Sequence, residues 1–467
     1  MFEKIRGFFM NILNFFHTTT VEQVTGIETN ITSEMYRHIE LWGDMMSGHA
    51  PWNKEAPACG ILPQIAGRLN YFVKREIGLD VKNEALEKPL GHLNKNVGRI
   101  VEFIALVGGA LLRPIYAQGK LQYEIIPLGN YLPTHYDFDG TLTGAIILKQ
   151  INTAKKSFLL CESHNYENNS HAVKIKLYEN REGNLRETSL ASCPMTAELT
   201  PEYIWKDCGR PMIAEFRSST TNKIDGSNVP VALIDGAIDL IEKADRQFAR
   251  MDWEQEAGEK RVFADRDMFA DRKTRDGKVE KVLTTKTLNR LVVKLDGNGI
   301  DGNEKIHEYS PELRTAAQEE YLQAILKRIE LAINLGKGTV SDAETMPQTA
   351  TQYTGGRQEL YAIVDDIEDE IAAKYDDVAQ IFAYMARAYS IKGAPRGNED
   401  ELYIIKWNDD QTRKDITQAK QMAMQEITTG VLNKWEYRRD FFGEDEATAK
   451  ANVPPIEYAA PSPFDMG

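Results

Sequence analysis

At 467 residues the chain is long enough for two to four domains of roughly 100–200 residues each, or for one elongated protein built of segments. A composition of 42% hydrophobic, 27% charged and 9% aromatic residues is that of a folded soluble protein and excludes disordered, collagen-like and disulfide-framework classes. Lys and Arg number 56 against 70 Asp and Glu, a formal charge of −14. The bulk surface therefore repels nucleic acid and anionic membrane at long range, and any DNA contact has to be local and shallow.

Residues 1–16 place Lys4 and Arg6 before a ten-residue, largely apolar stretch and so imitate a signal peptide. No small-x-small cleavage site follows, and the stretch falls short of the ~20 residues that cross a bilayer as a helix. Phe2, Ile5, Phe9, Ile12 and Phe16 recur at spacings of three and four. One apolar helical stripe results, and docking on a partner subunit is preferred to membrane-surface contact or a cleaved signal. From Thr20 to about Val229 the pattern is mixed. Residues 99–111 read as an apolar helix whose Gly108-Gly109 pair permits close backbone packing or ends it. Strand signals follow at 121–126, 143–148, 157–160 and 173–177.

From Asn228 the period becomes helical: Pro230 suits a first helical turn, and Leu233, Ile234, Ala237, Ile241, Ala244, Phe248 and Met251 follow. A helix of about 30 residues, ~45 Å long, is predicted, with Asp235, Asp239, Glu242 and Asp245 giving it an acidic exposed face. Residues 262–308 switch to strand-like runs at 281–283 and 288–295 between Gly- and Asp-rich turns. A second helix starts at Ser310-Pro311, a cap followed by proline, and carries Leu322, Ile325, Ile329 and Ile333 before Gly336 stops it. Residues 337–356, poor in large apolar side chains, read as an exposed mobile loop.

A third long helix is predicted from Arg357 to about Ile391, where Leu360, Val364, Ile367, Ile371, Tyr375, Val378, Phe382, Met385 and Tyr389 repeat with helical spacing before Gly393-Ala394-Pro395. A short strand at 402–407 and helices at roughly 415–429, 433–441 and 445–452 complete the pattern. The tail 454–467 is Pro-rich and reads as loose.

Most chemical motifs fail on context. Asp137-Phe138-Asp139-Gly140-Thr141 matches the DxDGT nucleophile signature of haloacid-dehalogenase-type phosphatases, but Tyr131–Tyr136 before it does not read as a buried apolar strand, since it holds Pro133 and His135; an Asp-Gly turn between strands is expected. Gly297-Asn298-Gly299-Ile300-Asp301-Gly302 spells GxGxxG without the helix that must open directly after it. As a calcium loop the same segment has Ile300 at the fifth position and His307 at the twelfth. Gly336-Lys337 lacks the rest of a phosphate loop. Asn168-Asn169-Ser170 is a glycosylation triplet without a secretory context. Cys59, Cys161, Cys193 and Cys208 show no CxxC spacing and read as reduced cytosolic thiols, and His164 with His171 reads as solvated rather than ligating. No catalytic set, metal or cofactor is expected. One charge pattern survives: residues 260–294 hold eleven Lys and Arg against five acids, a basic insert between two helices suited to an acidic partner or DNA phosphates.

The order mixed α+β, long helix, small β insert, long helix, polar loop, long helix, C-terminal helices resembles the portal proteins of tailed bacteriophages, in the branch typical of phages of Gram-positive hosts. Gly108-Gly109-Ala110-Leu111-Leu112-Arg113-Pro114 with the strand and Pro127 after it resembles the first strands of the wing. Ser227-Asn228-Val229-Pro230 through Ile234-Asp235, and on through Glu256-Ala257-Gly258-Glu259-Lys260-Arg261-Val262-Phe263, resembles the stem helix running into the clip.

The resemblance implies an elongated α+β portal fold: wing from 1–229 with 354–412, stem helices 230–259 and 310–335, β-rich clip 260–309, tunnel loop 336–353, and a small helical crown with the tail, 413–467. It implies a homo-oligomeric ring, usually twelve-fold, assembled in the host cytoplasm and built into one capsid vertex of the virion. Through it double-stranded DNA is packaged and ejected without sequence preference. The large subunit of the packaging terminase, the head-completion adaptor, and the major capsid and scaffolding proteins are the implied partners, with no enzyme activity and no stable membrane insertion. Lys337 is the foremost candidate for touching DNA phosphates, Lys243, Arg246 and Arg250 are further channel candidates, and Arg272, Lys273 and Arg275 are candidates for docking terminase and adaptor. Another capsid or connector component is the alternative reading, and a DxDGT-type phosphatase the more distant one.

Overall fold

The computed structural model describes residues 26–153, 156–181, 184–258, 261–265, 270–273, 279–282, 292–295, 306–342, 358–396, 402–407, 416–442 and 444–453. In chain order these form α1 (Ser33–Ser47), α2 (Ile61–Glu76), β1 (Ile77–Val81), α3 (Glu84–Lys95) and α4 (Val97–Val107). Then come β2 (Gly109–Ala117), β3 (Lys120–Pro127), β4 (Tyr131–Tyr136), β5 (Leu142–Asn152), β6 (Ser157–Glu167), β7 (Ser170–Arg181), β8 (Asn184–Thr188), β9 (Glu202–Lys206) and β10 (Ala214–Arg217). The long α5 (Ile238–Ala257) leads to β11 (Arg261–Asp265), β12 (Ala270–Lys273), β13 (Val279–Val282), β14 (Val292–Leu295) and β15 (Ile306–Tyr309). The chain continues through α6 (Thr315–Ala332), α7 (Gln358–Ala388), β16 (Tyr403–Trp407), α8 (Ile416–Thr429), α9 (Lys434–Phe442) and α10 (Glu446–Ala451). This is a mixed helix-and-sheet protein of the α+β class.

The largest sheet is antiparallel in the order β4-β5-β6-β7, with β8 beside the second half of β7 and β9 beside its first half. Both of its faces are covered. Ala145 and Ile147 join the main core, whereas Ile146 and Leu148 join a second cluster with Leu132, Leu159, Cys161, Tyr178 and Tyr36. Two buried faces are why the sequence of β5 runs apolar without alternating. β2 lies between β10 and β3, and β1 pairs with β16 across most of the chain length, Ile77 opposite Trp407. Against these layers α7 lays down Leu360, Val364, Ile367, Ile371, Tyr375, Val378, Phe382 and Met385, all buried.

Several element boundaries differ from the expectation, each for a physical reason. The helix expected over 99–111 ends at Val107, because Gly108 takes φ 91° and Gly109 opens β2. The glycine pair does both things read from it. A Cβ on Gly108 would lie 2.8 Å from the carbonyl carbon of Val231, and one on Gly109 2.9 Å from the Phe216 carbonyl oxygen. Pro230 is therefore not a helix start: residues 229–234 cross the glycines as a non-helical core segment, and α5 begins at Ile238 and runs 20 residues rather than about 30. Ser310-Pro311 does not open the second helix either, since α6 starts at Thr315. The insert holds strands at Arg261–Asp265 and Ile306–Tyr309 that the turn-rich sequence concealed. The third long helix, the short strand before the C-terminal segment and the three C-terminal helices stand where expected to within a few residues. The apolar segment 1–16 lies outside the described residues.

Candidate functional site

α5 and α6 lie antiparallel, and carboxylates on the inner side of α5 tie the pair to the N-terminal helices. Asp245, only 4% exposed, accepts the Trp52 indole N–H at 2.9 Å, the Asn53 amide at 3.2 Å and the Cys59 backbone N–H at 2.8 Å. Asp235 accepts the Trp42 indole N–H at 3.0 Å and pairs with His38 Nδ1 at 2.8 Å. The acidic face expected on this helix is thus divided. Asp239 is exposed and Glu242 half-buried, while Asp235 and Asp245 turn inward because the polar hydrogens delivered by residues 38–59 need acceptors. Burial first, then the neighbouring Asp245, pushes the Cys59 thiol up to about 12.

At the far end of the pair Glu254 accepts the Arg314 backbone N–H at 3.0 Å, Arg314 Nε–H at 3.2 Å and the Gln318 amide at 2.8 Å. These bonds, those from Arg314 foremost, hold the Glu254 carboxyl below the ordinary range. They also anchor Arg314, the residue immediately before α6, so that the helix starts past Ser310. The large side chains Trp253, Tyr321 and Leu331 remain 68%, 52% and 66% exposed along the two helices.

Lys243, Arg246 and Arg250, spaced three and four residues apart, share the side of α5 away from the buried Ile241 and Ala244. Arg246 is held within its own chain by Glu242 at 2.8 Å and Glu55 at 3.3 Å. Lys243 and Arg250 are exposed and make no ion pair among the described residues. Lys337 is exposed just past the end of α6, where Asn334 at φ 53° and Gly336 at φ 73° turn the chain off the helix.

Directly behind Lys337 lies an arrangement that sequence reasoning missed. Glu330, 1% exposed, accepts the backbone N–H groups of Gly338, Thr339, Val340 and Ser341 at 3.1, 2.8, 2.6 and 2.7 Å and the Ser341 hydroxyl at 2.7 Å. The expectation of an exposed mobile loop is corrected for this stretch: Thr339 and Ser341 are each 7% exposed and pinned to α6. Its available signal was a Glu one turn from a helix end followed by Gly-Lys-Gly-Thr-Val-Ser. Residues 343–357 of the loop lie outside the described residues.

The insert joins the helix pair at the end opposite Lys337. β11 pairs in parallel with β14 and antiparallel with β15, and in the β12–β13 hairpin Arg272 stands opposite Glu280 and Lys273 opposite Val279. Arg275 and the glycine-rich segment 296–302 lie outside the described residues.

The remaining motifs resolve as structure, with one correction: the segment before Asp137 is a strand, β4, whose Tyr131, Leu132 and Thr134 are buried despite Pro133 and His135. Asp137 and Asp139 build the turn between β4 and β5: Gly140 N–H donates to the Asp137 carbonyl at 3.0 Å and Thr141 N–H to Asp139 Oδ1 at 2.9 Å. That N–H is the chief reason the Asp139 carboxyl sits below its ordinary range. Asn168 and Asn169, both at positive φ, form the two-residue turn joining β6 to β7, and the Asn169 side chain accepts the Gly209 N–H at 2.7 Å. His164 and His171 correct the expectation of solvated rings: they are 1% and 0% exposed and hydrogen-bonded to each other, because Glu162 and the Met212 N–H flank them inside the protein. Glu215, also buried, accepts the hydroxyls of Tyr131 and Tyr136 at 2.8 and 3.1 Å, and burial raises its carboxyl above the ordinary range. All four cysteines are free. Among the described residues no group of three or more His, Cys, Asp or Glu is placed to hold a metal, and no helix is long and apolar enough to cross a membrane.

No known protein family matches the sequence, and a search of curated proteins finds no match.

Proposed function

We propose that this chain is the subunit of a phage portal, a homo-oligomeric ring at one capsid vertex through whose centre double-stranded DNA is packaged and later ejected. The observation that carries the reading is the antiparallel pair α5–α6, with a small β unit at one end, the Lys337 loop at the other, and Trp253, Tyr321 and Leu331 left in water along it. A helix pair with large apolar side chains outside its own core is stabilised when further copies cover them. In this reading the pair is the stem, the insert the clip, residues 336–353 the tunnel loop, and the C-terminal helices the crown.

The electrostatics agree with a conduit. A polyanion slides where cationic contacts are sparse, and a chain of net charge −14 with few unpaired cations on the helix pair keeps each contact shallow. Lys337 offers one such contact. The strand carrying Arg272 and Lys273, with Arg275 beyond it, belongs to the insert that meets the packaging terminase during filling and the head-completion adaptor afterwards. ATP chemistry resides in the terminase. The phosphatase alternative loses ground because both aspartates of the DxDGT string are engaged in a hairpin turn. Negative-stain imaging of the purified protein tests the proposal: an annulus with an open centre wide enough for a duplex is expected. A protein that stays monomeric under every assembly condition, or a closed disc, overturns it.

A further inference from the structure

We infer that residues 338–341 form an anion-binding nest for a phosphate-type oxyanion, and that the carboxylate of Glu330 is its built-in occupant, a plug that keeps the loop from caging phosphate. The donors are four successive backbone N–H groups and one hydroxyl converging on two oxygens at 2.6–3.1 Å. Successive N–H groups curled around a point are the recurrent way in which backbone binds phosphate. Here the curl depends on Gly338 at φ 77°, and it is stiffened by the Thr339 hydroxyl donating to the carbonyls of Leu335 at 2.8 Å and Gly336 at 3.0 Å. Asp342 N–H continues the anchoring by donating to the Gln323 side chain at 2.8 Å. Lys337, exposed and adjacent in sequence to the first nest residue, could complete a phosphate site if the nest were open.

Glu330 reaches the nest from the last turn of its own helix, so the anion is intramolecular and its effective concentration far exceeds that of any free phosphate. With the nest filled, the loop presents a single cation to a passing phosphate instead of a cage of five donors plus a cation. This functional consequence rests on the proposed DNA channel: a loop that caged phosphates in every subunit of a ring would hold a duplex stationary. The nest itself requires neither ring nor DNA, so it is tested separately.

The test uses the full-length Glu330→Ala variant with inorganic phosphate as probe and chloride at matched ionic strength as control. Phosphate is expected to raise the Tm of Glu330→Ala by about 3 °C near saturation and to broaden its 31P resonance, leaving the wild-type protein unmoved. In a second arm, short duplex DNA is expected to be retained by the variant and released by salt, while the wild type retains none, which separates a nucleic-acid phosphate from a free one. A folded Glu330→Ala that ignores phosphate overturns the inference, as does a wild type that responds equally. Should the variant not fold in chloride, refolding in phosphate or formate is decisive. Recovery supports an anion nest, and failure of both anions to restore the fold sinks it.

Discussion

The ring Nε2–H of His171 donates to Nδ1 of His164 across 2.9 Å inside the protein, and the groups at either end dictate that direction. Met212 N–H donates to His171 Nδ1 at 3.1 Å, so the proton of a neutral His171 sits on Nε2. His164 must then carry its own proton on Nε2, where it meets Glu162 Oε1 at 2.9 Å, and Arg113 engages the other oxygen of Glu162. One chain of hydrogen bonds thus links β2, β6, β7 and the segment entering β10, with a single self-consistent tautomer for each ring.

This chain makes stability pH-dependent. Burial first, then the neighbouring His164 ring, lowers His171 to about 2, against about 6.5 in an unfolded chain. Between those values the unfolded state binds the extra proton, so stability is complete above about pH 6.5 and falls as the pH drops toward 2, by at most ~1.4 kcal/mol per pH unit. Urea unfolding midpoints between about pH 7 and pH 4.5 measure the slope. His171→Asn should start less stable and decline less steeply; equal slopes for the two proteins would remove His171 from the account.

Asp245→Ala should destabilise the protein by about 3 kcal/mol, because it leaves the Trp52, Asn53 and Cys59 donors without an acceptor away from water. Asp245→Asn, which keeps one acceptor oxygen, should cost less. Cys59 gives an independent readout, since a thiol at about 12 is almost entirely protonated near neutral pH and alkylates slowly. Iodoacetamide labelling of Cys59 in folded protein should quicken in Asp245→Ala but stay below that of an unfolded thiol, because burial is the larger cause of the shift. A rate unchanged by the substitution would contradict this.

Periodicity made the helices legible where one face meets the core, as along Leu360, Val364, Ile371 and Tyr375 of α7. It likewise made β5 legible as a strand. What stayed hidden are polar groups whose partners arrive from distant sequence. A helical wheel assigns Asp245 to solvent, and only the fold delivers Trp52 and Cys59 to it. Glu330 looks like one more surface glutamate until the loop curls back over it. Pro230 and Ser310-Pro311 carry sound local signals that tertiary contacts override, the first through the crossing over Gly108-Gly109, the second through Glu254. Of the site residues read from sequence, Lys337, Lys243 and Arg250 are exposed, whereas Arg246 is engaged by Glu55, a partner no local pattern predicts.

Gly108→Ala should cost about 3 kcal/mol or more. A side chain at φ 91° is strained, and the added Cβ would press on the backbone of Val231, Ala232 and Pro230 at 2.8–2.9 Å, atoms that have no rotamer through which to move away. Thermal unfolding of the variant checks this, and an unchanged Tm would mean that residues 230–232 do not cross there.

The double variant Tyr321→Asp with Leu331→Asp should leave the subunit folded and abolish assembly. Both side chains are more than half exposed in the single chain, so their loss costs the monomer little. Charges placed in a buried contact between copies are costly. Sedimentation velocity alongside circular dichroism separates the outcomes: a wild-type-like spectrum with only slow-sedimenting species is expected. Rings that survive the double substitution would locate the contact between copies elsewhere.

Lys337 and Arg246 differ in what they have left to give a phosphate. Arg246 already donates to Glu242 and Glu55 within its own chain, and moving to DNA would break both pairs for one new contact. Lys337 is exposed and makes no ion pair among the described residues. Under the channel reading, Lys337→Glu should therefore impair DNA filling of heads, most at low ionic strength where the repulsion is least screened, since it replaces an attraction to the backbone by a repulsion in every subunit. Arg246→Ala should leave filling near wild type and instead lower subunit stability slightly, as the loss of a solvent-screened ion pair does. Packaging assays on heads carrying each variant, paired with urea melts of the isolated proteins, decide between them. A filling defect in Arg246→Ala with none in Lys337→Glu would reverse the assignment and put the DNA contact on the outer side of α5.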